Sequence, residues 1–595
     1  MVFAKALERA KARKKQKGED INLPIPLNNG NDDNHGNDWE PTDPERVPMM
    51  YRAQVQGRCS LQYAKENQDL NRWTEEWVYP NPKQEQTPYY QYAEPKLGLD
   101  GLVYRLKVKF PFRVFTNCGQ DSILRPTIGK DGIPFIPGSS IKGLFERLSR
   151  HPQVSEEHKQ KIKNYCGSPE QQGILRFHGA YPVGDWAGTK SVQLKDGETK
   201  IRYRLVDVVH PQQQRQVEGK GSPKAIAVVS FFEPTFVFEL SSIESLPESE
   251  WETIGGLLKR ALRPGLGGKT STGYGLCFIP QDRYPLDITL KGKGVSPLLR
   301  SDEPEFRPNL FKASLKGHVL RLLAGVSGDE KTVRAKVNRL FGHTTEPGVL
   351  QLYWESKFLK NDGKQGREKT PIYDTRGTLY LDVPEHDLLF AQKVIEFAVT
   401  MGGFGKSWRR VWHGDFFPDY QTRAIGCHWL CQNSSFEMTR INNPNDLKAF
   451  LNELRQTTIN YMGLKANSAQ CLSWKEAWCS QNLSVYAQVV SQSKAIKLFH
   501  EAEFKTTPAI GGRKPNDERP TSISFVWHRM LPLDGNKYLE IITLFHGGKS
   551  GDKTRWLKFW QRQNLNGKLE NQLPLFTQRL QDLEFELTWG TKPPI

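Results

Sequence analysis

Apolar and basic residues alternate along Tyr104-Arg105-Leu106-Lys107-Val108-Lys109-Phe110. A period of two is that of a half-buried strand, with Arg105, Lys107 and Lys109 on one face. That face reads either as a nucleic-acid surface or as an ordinary solvated one. The period then changes. Ile141, Leu144, Phe145 and Leu148 recur at helical spacing behind an Ile136-Pro137-Gly138 turn, where Ser139 or Ser140 is placed to cap the helix. Ile254, Leu257, Leu258, Ala261 and Leu262 mark a second apolar helical face, and residues 274–279 read as a strand after it. Further on, residues 446–454 read as a helix. Residues 523–527 and 538–545 read as paired strands that complete the sheet of the preceding unit.

Two segments in this pattern carry chemistry. A helix start with serine hydroxyls, free amides and Lys142 is suited to a phosphate. The second helix runs into Pro264-Gly265-Leu266-Gly267-Gly268-Lys269-Thr270-Ser271-Thr272-Gly273-Tyr274-Gly275, whose glycines let backbone amides turn outward. Gly268-Lys269-Thr270 resembles the end of a nucleotide-binding P-loop. The first glycine of that motif is Arg263 here, and a helix enters the loop where a strand is required, so ATP binding is not expected.

The order of features then repeats. Ala313-Ser314-Leu315-Lys316-Gly317 matches Ser139-Ser140-Ile141-Lys142-Gly143, with Arg321 in the register of Arg147. Gly348 to Leu352 is the counterpart of Gly173 to Phe177. Val394, Ile395, Phe397, Ala398 and Met401 mark a helix that ends in Gly402-Gly403-Phe404-Gly405-Lys406-Ser407-Trp408-Arg409-Arg410. Lys142 and Gly267 stand 125 residues apart, Lys316 and Gly403 only 87, so the copies carry unequal insertions. The candidate phosphate-binding residues are therefore Ser139, Ser140, Lys142 and Arg147 with Gly267, Gly268, Lys269 and Ser271 in the first copy. In the second they are Ser314, Lys316 and Arg321 with Gly403, Lys406, Arg409 and Arg410.

Charge strengthens the nucleic-acid reading. Among 595 residues, 83 Lys and Arg against 66 Asp and Glu leave +17, a balance that attracts polyanions. Residues 1–18 carry Lys5, Arg9, Lys11, Arg13, Lys14, Lys15 and Lys17, and read either as an RNA-contacting arm or as a solvated tail. Residues 19–47 have linker composition. No apolar run is long enough to span a membrane, the basic start lacks the apolar stretch of a secretory signal, and eight Cys do not make a disulfide scaffold. A cytoplasmic protein is expected. Cys427, His428, Cys431, Cys471 and Cys479 do not fall at a zinc spacing, and no metal ligands are assigned.

The motifs over Ile136 to Gly143, Gly265 to Gly275, Ser314 to Gly317 and Gly402 to Arg410 resemble the RAMP superfamily of CRISPR-associated proteins. The likeness is to Cas-seven-like subunits of type III effector complexes and covers about 99–414. It implies an α+β chain of two ferredoxin-like (modified RNA-recognition-motif) domains in tandem with hairpin insertions. The expected layout is a basic arm and linker (1–47), a polar and aromatic extension (48–98), a first RAMP domain (99–290) and a second with a C-terminal extension (300–595). The resemblance also implies a guide RNA (crRNA) held by its backbone, a complementary target RNA, and other type III subunits as partners, with no membrane. A thumb-like hairpin is expected around Asp196-Gly197 in the 181–229 insertion, and another around Asp362-Gly363.

Some family members cut target RNA with an Asp on a loop ahead of the Ser-x-Lys-Gly motif. Asp121, with Arg125 following, stands there. Its carboxylate suits a divalent ion such as magnesium or activation of a 2′-hydroxyl for in-line attack, so the resemblance implies a metal-dependent endoribonuclease that cleaves guide-paired target RNA by metal-assisted 2′-hydroxyl attack; the other reading is a loop cap. Asp131 reads as a turn residue. In the second copy Val295 holds the equivalent spacing, while Asp302, Glu303 and Glu305 lie nearer the motif. A non-catalytic capping subunit is the alternative within the superfamily. A guide-processing ribonuclease is the rival outside that role, but the first glycine loop has no His and the second only His413 beyond its end.

Overall fold

The computed structural model of the chain describes residues 74–79 (except 76), 87–93 and 103–593. Within the last range 117–124, 130–131, 152–153, 194–195, 210–211, 220–225, 278–283, 301–302, 344–345, 366–368, 406–408, 411–412, 417–425, 467–468, 512–524, 547–556 and 564–568 are outside the description. The basic arm and linker lie outside the described residues.

The first unit begins with β1 (Tyr104–Lys109), α1 (Gly138–Ser149), α2 (Glu156–Cys166) and β2 (Leu175–Val183). Helix α1 buries Ile141, Leu144, Phe145 and Leu148, the face read from the sequence. It lies so close to β2 that a Cβ on Gly138 would stand 1.9 Å from the Phe177 carbonyl oxygen, so only glycine fits. An insertion follows: β3 (Lys190–Gln193), β4 (Thr199–Arg202), β5 (Val206–Val209), α3 (Gln212–Glu218) and β6 (Ile226–Val229). Then β7 (Thr235–Ser242) and α4 (Glu248–Leu262) return to the core. The antiparallel sheet runs β1-β7-β2, the 1-3-2 order of a split βαβ unit. Residues 274–277, expected to begin a strand, are not in one; the Tyr274 amide is tied to Lys269 of the glycine loop and the Gly275 amide to Arg113 instead.

The second unit is β8 (Leu286–Val295), α5 (Asn309–Ala324), α6 (Glu330–Phe341), β9 (Gln351–Gln365), β10 (Thr370–Asp382) and α7 (Glu385–Phe397). After the two-residue strand β11 (Arg409–Arg410), β12 (Cys427–Ser434) completes it. Its sheet runs β12-β8-β10-β9, all antiparallel, which is the complete 4-1-3-2 order of the ferredoxin-like fold.

The C-terminal part contains α8 (Pro444–Met462), β13 (Leu483–Val490), α9 (Ala495–His500), β14 (Val526–Pro532), β15 (Tyr538–Phe545), α10 (Leu573–Asp582) and β16 (Glu586–Gly590). The helix expected at 446–454 is α8, started by Pro444 and capped by Asn443. Strands β14 and β15 pair as expected, but they do not join the second sheet. They form a separate sheet, β16-β13-β15-β14, with β11 parallel on its edge. The order is 4-1-3-2 again, so a third ferredoxin-like unit follows the two expected ones. The fold class is α+β throughout.

Two cores hold these units. One belongs to the first unit and includes Trp77 and Trp186, so the extension before β1 is partly built into it. The other runs continuously through the second and third units. Trp560 is buried in this second core beside Phe576, and Phe559 packs on Phe525; these aromatics pack inside, and Trp556 is outside the described residues. The first unit's insertion clasps the second: Arg334 of α6 pairs with Glu218 of α3, and Glu476 receives Gln216 of α3. Among the described residues no helix is long and apolar enough to cross a membrane.

Candidate nucleic-acid interface

Ser139 and Ser140 are exposed in the first turn of α1. They do not cap it: the helix starts at Gly138 behind Pro137, with no side-chain cap. The hydroxyls are therefore left to solvent. Lys142 is part-exposed, its Nζ 4.0 Å from Glu146 Oε1, a surface pair too weak to tie the lysine down. Arg147 is half-buried, and burial holds its guanidinium below the ordinary value.

The first glycine loop is only partly open. Gly268 N donates to the Phe115 carbonyl (2.7 Å), Gly275 N to that of Arg113 (2.7 Å) and Leu266 N to that of Gly275 (2.8 Å). The amides of Gly267, Lys269, Thr270 and Ser271 make no hydrogen bond among the described residues. Lys269 takes a left-handed conformation (φ 58°), and its ammonium stands 5.7 Å from the Phe115 ring centre. Burial lowers its pKa, and Asp207 works against that. Behind the loop, Tyr274 donates to Asp207, which also pairs with Arg307 Nη1 at 2.6 Å. Burial pushes Asp207 up, but the Arg307 and Arg113 guanidiniums hold it below the ordinary carboxylate value. Arg113 in turn grips both oxygens of Glu305 (2.6 and 2.7 Å).

Glu303 pairs with Lys190 at 2.6 Å. Both described acids near the second motif are thus committed to cations. Asp121, Asp131 and Asp302 lie outside the described residues. The segment leading to Asp121 is described as far as Thr116, and its Phe115 carbonyl is the one on which the glycine loop rests.

In the second unit the motif sits differently. Helix α5 starts at Asn309, so Ser314 and Lys316 lie more than a turn inside it, not at a helix start. Ser314 Oγ accepts the Gly405 amide at 3.1 Å, and His318 Nε2 lies 3.3 Å from the Gly403 carbonyl. The serine fastens the second glycine loop to the helix. Arg321 is 1% exposed. Its Nε and Nη2 donate to Glu476 Oε2 at 2.8 and 2.6 Å, and it lies over the Trp527 ring. The backbone of Arg409 and Arg410 pairs with His528 and Arg529 on the edge of the third sheet. Lys406 is outside the described residues. Sequence reading missed Lys312, one turn before Lys316 and 2% exposed; beginning the helix at Pro308 and not at the serine would have found it.

The third unit carries a worn copy of the motif, Ala495-Ile496-Lys497 in place of Ser140-Ile141-Lys142. Its helix start is filled from within. Glu540 accepts the Lys494 amide (2.8 Å), the Ala495 amide (3.2 Å), the Ser493 hydroxyl and His528 Nε2 (2.8 Å). A carboxylate already occupies the place an anion would take, and no glycine loop follows α10.

The open face of the first sheet is partly covered. Tyr92 stacks on Tyr181 (4.5 Å) and donates to Glu239, which Arg105 holds at 2.8 Å. Lys107 and Lys109 remain exposed. Both hairpins form. Gly197 turns β3 into β4, with Asp196 Oδ1 accepting the Glu198 amide. The β9–β10 hairpin reaches further than expected: Gly363 pairs with Ile372 beside a bulge, and the turn lies beyond it. Phe358 and Leu359 are 50% and 45% exposed on β9, with Lys357 and Lys360 beside them. Among the described residues no group of three His, Cys, Asp or Glu fits a metal ion, and Cys427, Cys431, Cys471 and Cys479 are in no disulfide.

The family model described as RAMPs, the RAMP superfamily, matches residues 114–277. The match runs from Val114, next to the Phe115 carbonyl on which the first glycine loop rests, to just past that loop. The RAMP-superfamily match thus falls within the first unit, over about a quarter of the chain. Among solved structures it is similar to a chain of the type III-B Cmr-beta complex bound to cognate target RNA: 22% identity, 30% of this chain and 59% of that one, TM-score 0.22. Cmr1 from Pyrococcus furiosus, in its apo form, is 17% identical over 51% of this chain and 98% of its own, TM-score 0.33. Cmr6 from Pyrococcus furiosus is 18% identical over 30% of this chain and 98% of its own, TM-score 0.19. The match to the Cmr-beta chain thus spans about three fifths of that chain's length. No curated protein matches the sequence.

Proposed function

We propose that the chain is a guide-RNA-binding backbone subunit of a type III CRISPR ribonucleoprotein, working beside other subunits of that complex on a complementary target RNA. The observation that carries this reading is the RAMP match over a unit whose glycine loop keeps open amides next to Lys269. Amides and ammonium groups hold phosphates without reading bases, which suits a protein whose guide does the reading. In the first unit the contacts are Ser139, Ser140, Lys142 and Arg147 with Gly267, Gly268, Lys269 and Ser271. In the second they are Lys316, Gly403, Lys406, Arg409 and Arg410. Ser314 and Arg321 act through the helix, fastening the glycine loop and the Glu476 segment. The third unit is a scaffold.

Asp121 is the candidate for target cleavage. Its carboxylate takes the proton of a target 2′-hydroxyl, whose oxygen bonds to the adjacent phosphorus as the bond to the 5′-oxygen breaks; a proton from water completes the 5′-hydroxyl, and a 2′,3′-cyclic phosphate remains on the other fragment. No step is assigned to a metal ion.

Replacing Lys142 and Lys316 together by Glu tests the binding reading. Affinity for a guide RNA should fall at least tenfold, and the slope of log K against log salt should flatten by about 2, one per phosphate contact. Equal affinity and slope in both proteins would overturn the assignment.

A further inference from the structure

The segment between α8 and β13 is where the three units meet. Leu472 N donates to the Ala324 carbonyl and Trp478 N to that of Arg321, each at 2.9 Å. Those carbonyls lie about 4.5 Å apart along the end of α5, so the two ends of the 472–478 loop are pinned side by side. Between them Glu476 takes Arg321 and Gln216 with its side chain and gives its amide to the Val217 carbonyl of α3. The residue just outside each pinned end is a cysteine, Cys471 on one side and Cys479 on the other.

The two thiols meet. Cys479 is hydrogen-bonded to the Cys471 sulfur, and neither is in a disulfide. Gln481 Oε1 lies 3.8 Å from Cys471 Sγ. Arg455 of α8 acts on the same sulfur by its charge, its Nη1 held by the Gly325 carbonyl at 3.0 Å. Asn482, 2% exposed, turns its side-chain amide to that sulfur, and its Nδ2 has no other partner among the described residues. The hydrogen bond from Cys479, helped by Arg455 and Asn482, holds Cys471 below the ordinary thiol value against its burial. Sharing that proton, and burial, raise Cys479. Burial raises Cys166, Cys277 and Cys431 as well. Cys471 is part-exposed and Cys479 buried. A thiol that ionises readily, can be reached from solvent and touches a second sulfur is set up for oxidation.

We propose that Cys471 and Cys479 form a reversible oxidation site, in which Cys471 meets a peroxide, Cys479 resolves it, and the disulfide closes the loop at the junction of the three units. The Cys471 thiolate attacks one peroxide oxygen. The O–O bond breaks, hydroxide leaves, and Cys471 becomes a sulfenic acid. The Cys479 sulfur then attacks the Cys471 sulfur. The S–S bond forms as the S–O bond breaks, and the departing hydroxide takes the Cys479 proton as water. Two electrons pass from the thiol pair to the peroxide, and a small-molecule dithiol returns them. Asn482 Nδ2 is the donor for the oxygen that Cys471 carries in between. The closed ring limits how far Glu476 can leave Arg321 when the units part. This site does not depend on the RNA-binding reading.

The test uses the full chain, reduced, exposed to hydrogen peroxide, then blocked at its thiols under denaturing conditions and mapped by mass spectrometry. A Cys471–Cys479 disulfide should form and disappear again with dithiothreitol. It should form at least about tenfold faster than Cys431 is oxidised, since burial keeps that part-exposed thiol protonated. In Cys479→Ser, Cys471 should stop at the sulfenic acid and be captured by dimedone. Peroxide should raise the urea midpoint of the wild-type chain and not that of Cys479→Ser; equal midpoints before and after oxidation would overturn the effect on the junction. Recovery of Cys471 and Cys479 as thiols once Cys431 has been oxidised, or a wild-type Cys471 sulfenic acid that never links to Cys479, would overturn the site itself.

Discussion

Arg321 offers the sharpest separation of structure from binding, because it stands in the register of an expected RNA contact and lies in the interior. Its guanidinium and the Glu476 carboxylate are 1% and 0% exposed. Two charge-assisted hydrogen bonds join them, and Gln216 Nε2 reaches the other carboxylate oxygen at 3.1 Å. Backbone bonds run alongside, from Trp478 N to the Arg321 carbonyl and from Glu476 N to that of Val217. The pair therefore ties α5 to the segment entering the third unit and to the first unit's α3. Arg321→Met leaves the buried carboxylate with only Gln216 and the more distant Lys475 ammonium, 4.0 Å away, at a cost of about 3 kcal/mol. Replacing both partners, Arg321→Met with Glu476→Leu, removes the stranded charge and should recover most of that loss. Urea unfolding of the four proteins of the cycle gives the coupling, expected at about 2 kcal/mol or more. RNA affinity measured well below the melting temperature should be unchanged in Arg321→Met. Full stability combined with lost RNA affinity would refute the reasoning, since the guanidinium would then face the ligand and not Glu476.

Other consequences follow from the same geometry. Lys312 sits at about 7 against an ordinary 10.5, so the unfolded chain keeps a proton there that the folded chain has released. Stability rises with pH across that window; at about 1.4 kcal/mol per pH unit the penalty at and below pH 7 is up to ~5 kcal/mol. Lys312→Met should therefore melt higher than wild type at pH 7, with the difference vanishing as pH approaches 10.5; a gap independent of pH would contradict this. Gly273→Ala forces a side chain onto Asn309 at a positive φ and should cost about 1–3 kcal/mol, with faster limited proteolysis between the first two units as the readout. Asp121→Ala should leave guide and target binding intact while abolishing cleavage at the target position this subunit faces, read on an end-labelled target.

The alternation at Tyr104–Phe110 and the helical faces of α1 and α4 were legible because each element buries only one side. α5 was harder. It is buried nearly all round, from Phe311 to Ala324, so periodicity did not say which face meets what. Its true start at Asn309 hid behind the better-looking serine. The third unit was not legible at all as a copy. Its first helix has six residues, its motif has lost serine and glycine, and Glu540, far away in sequence, does locally what a ligand does elsewhere. The repeat was read correctly as order, but order does not tell an Arg that grips phosphate from one that grips Glu476.

The central claim is that this chain holds guide RNA, and it is tested most directly by purifying the protein from its native cells and sequencing the RNA that comes with it. The account predicts short RNAs of uniform length that share a common repeat-derived tag. A mixed sample of cellular RNA, or no RNA, would contradict it.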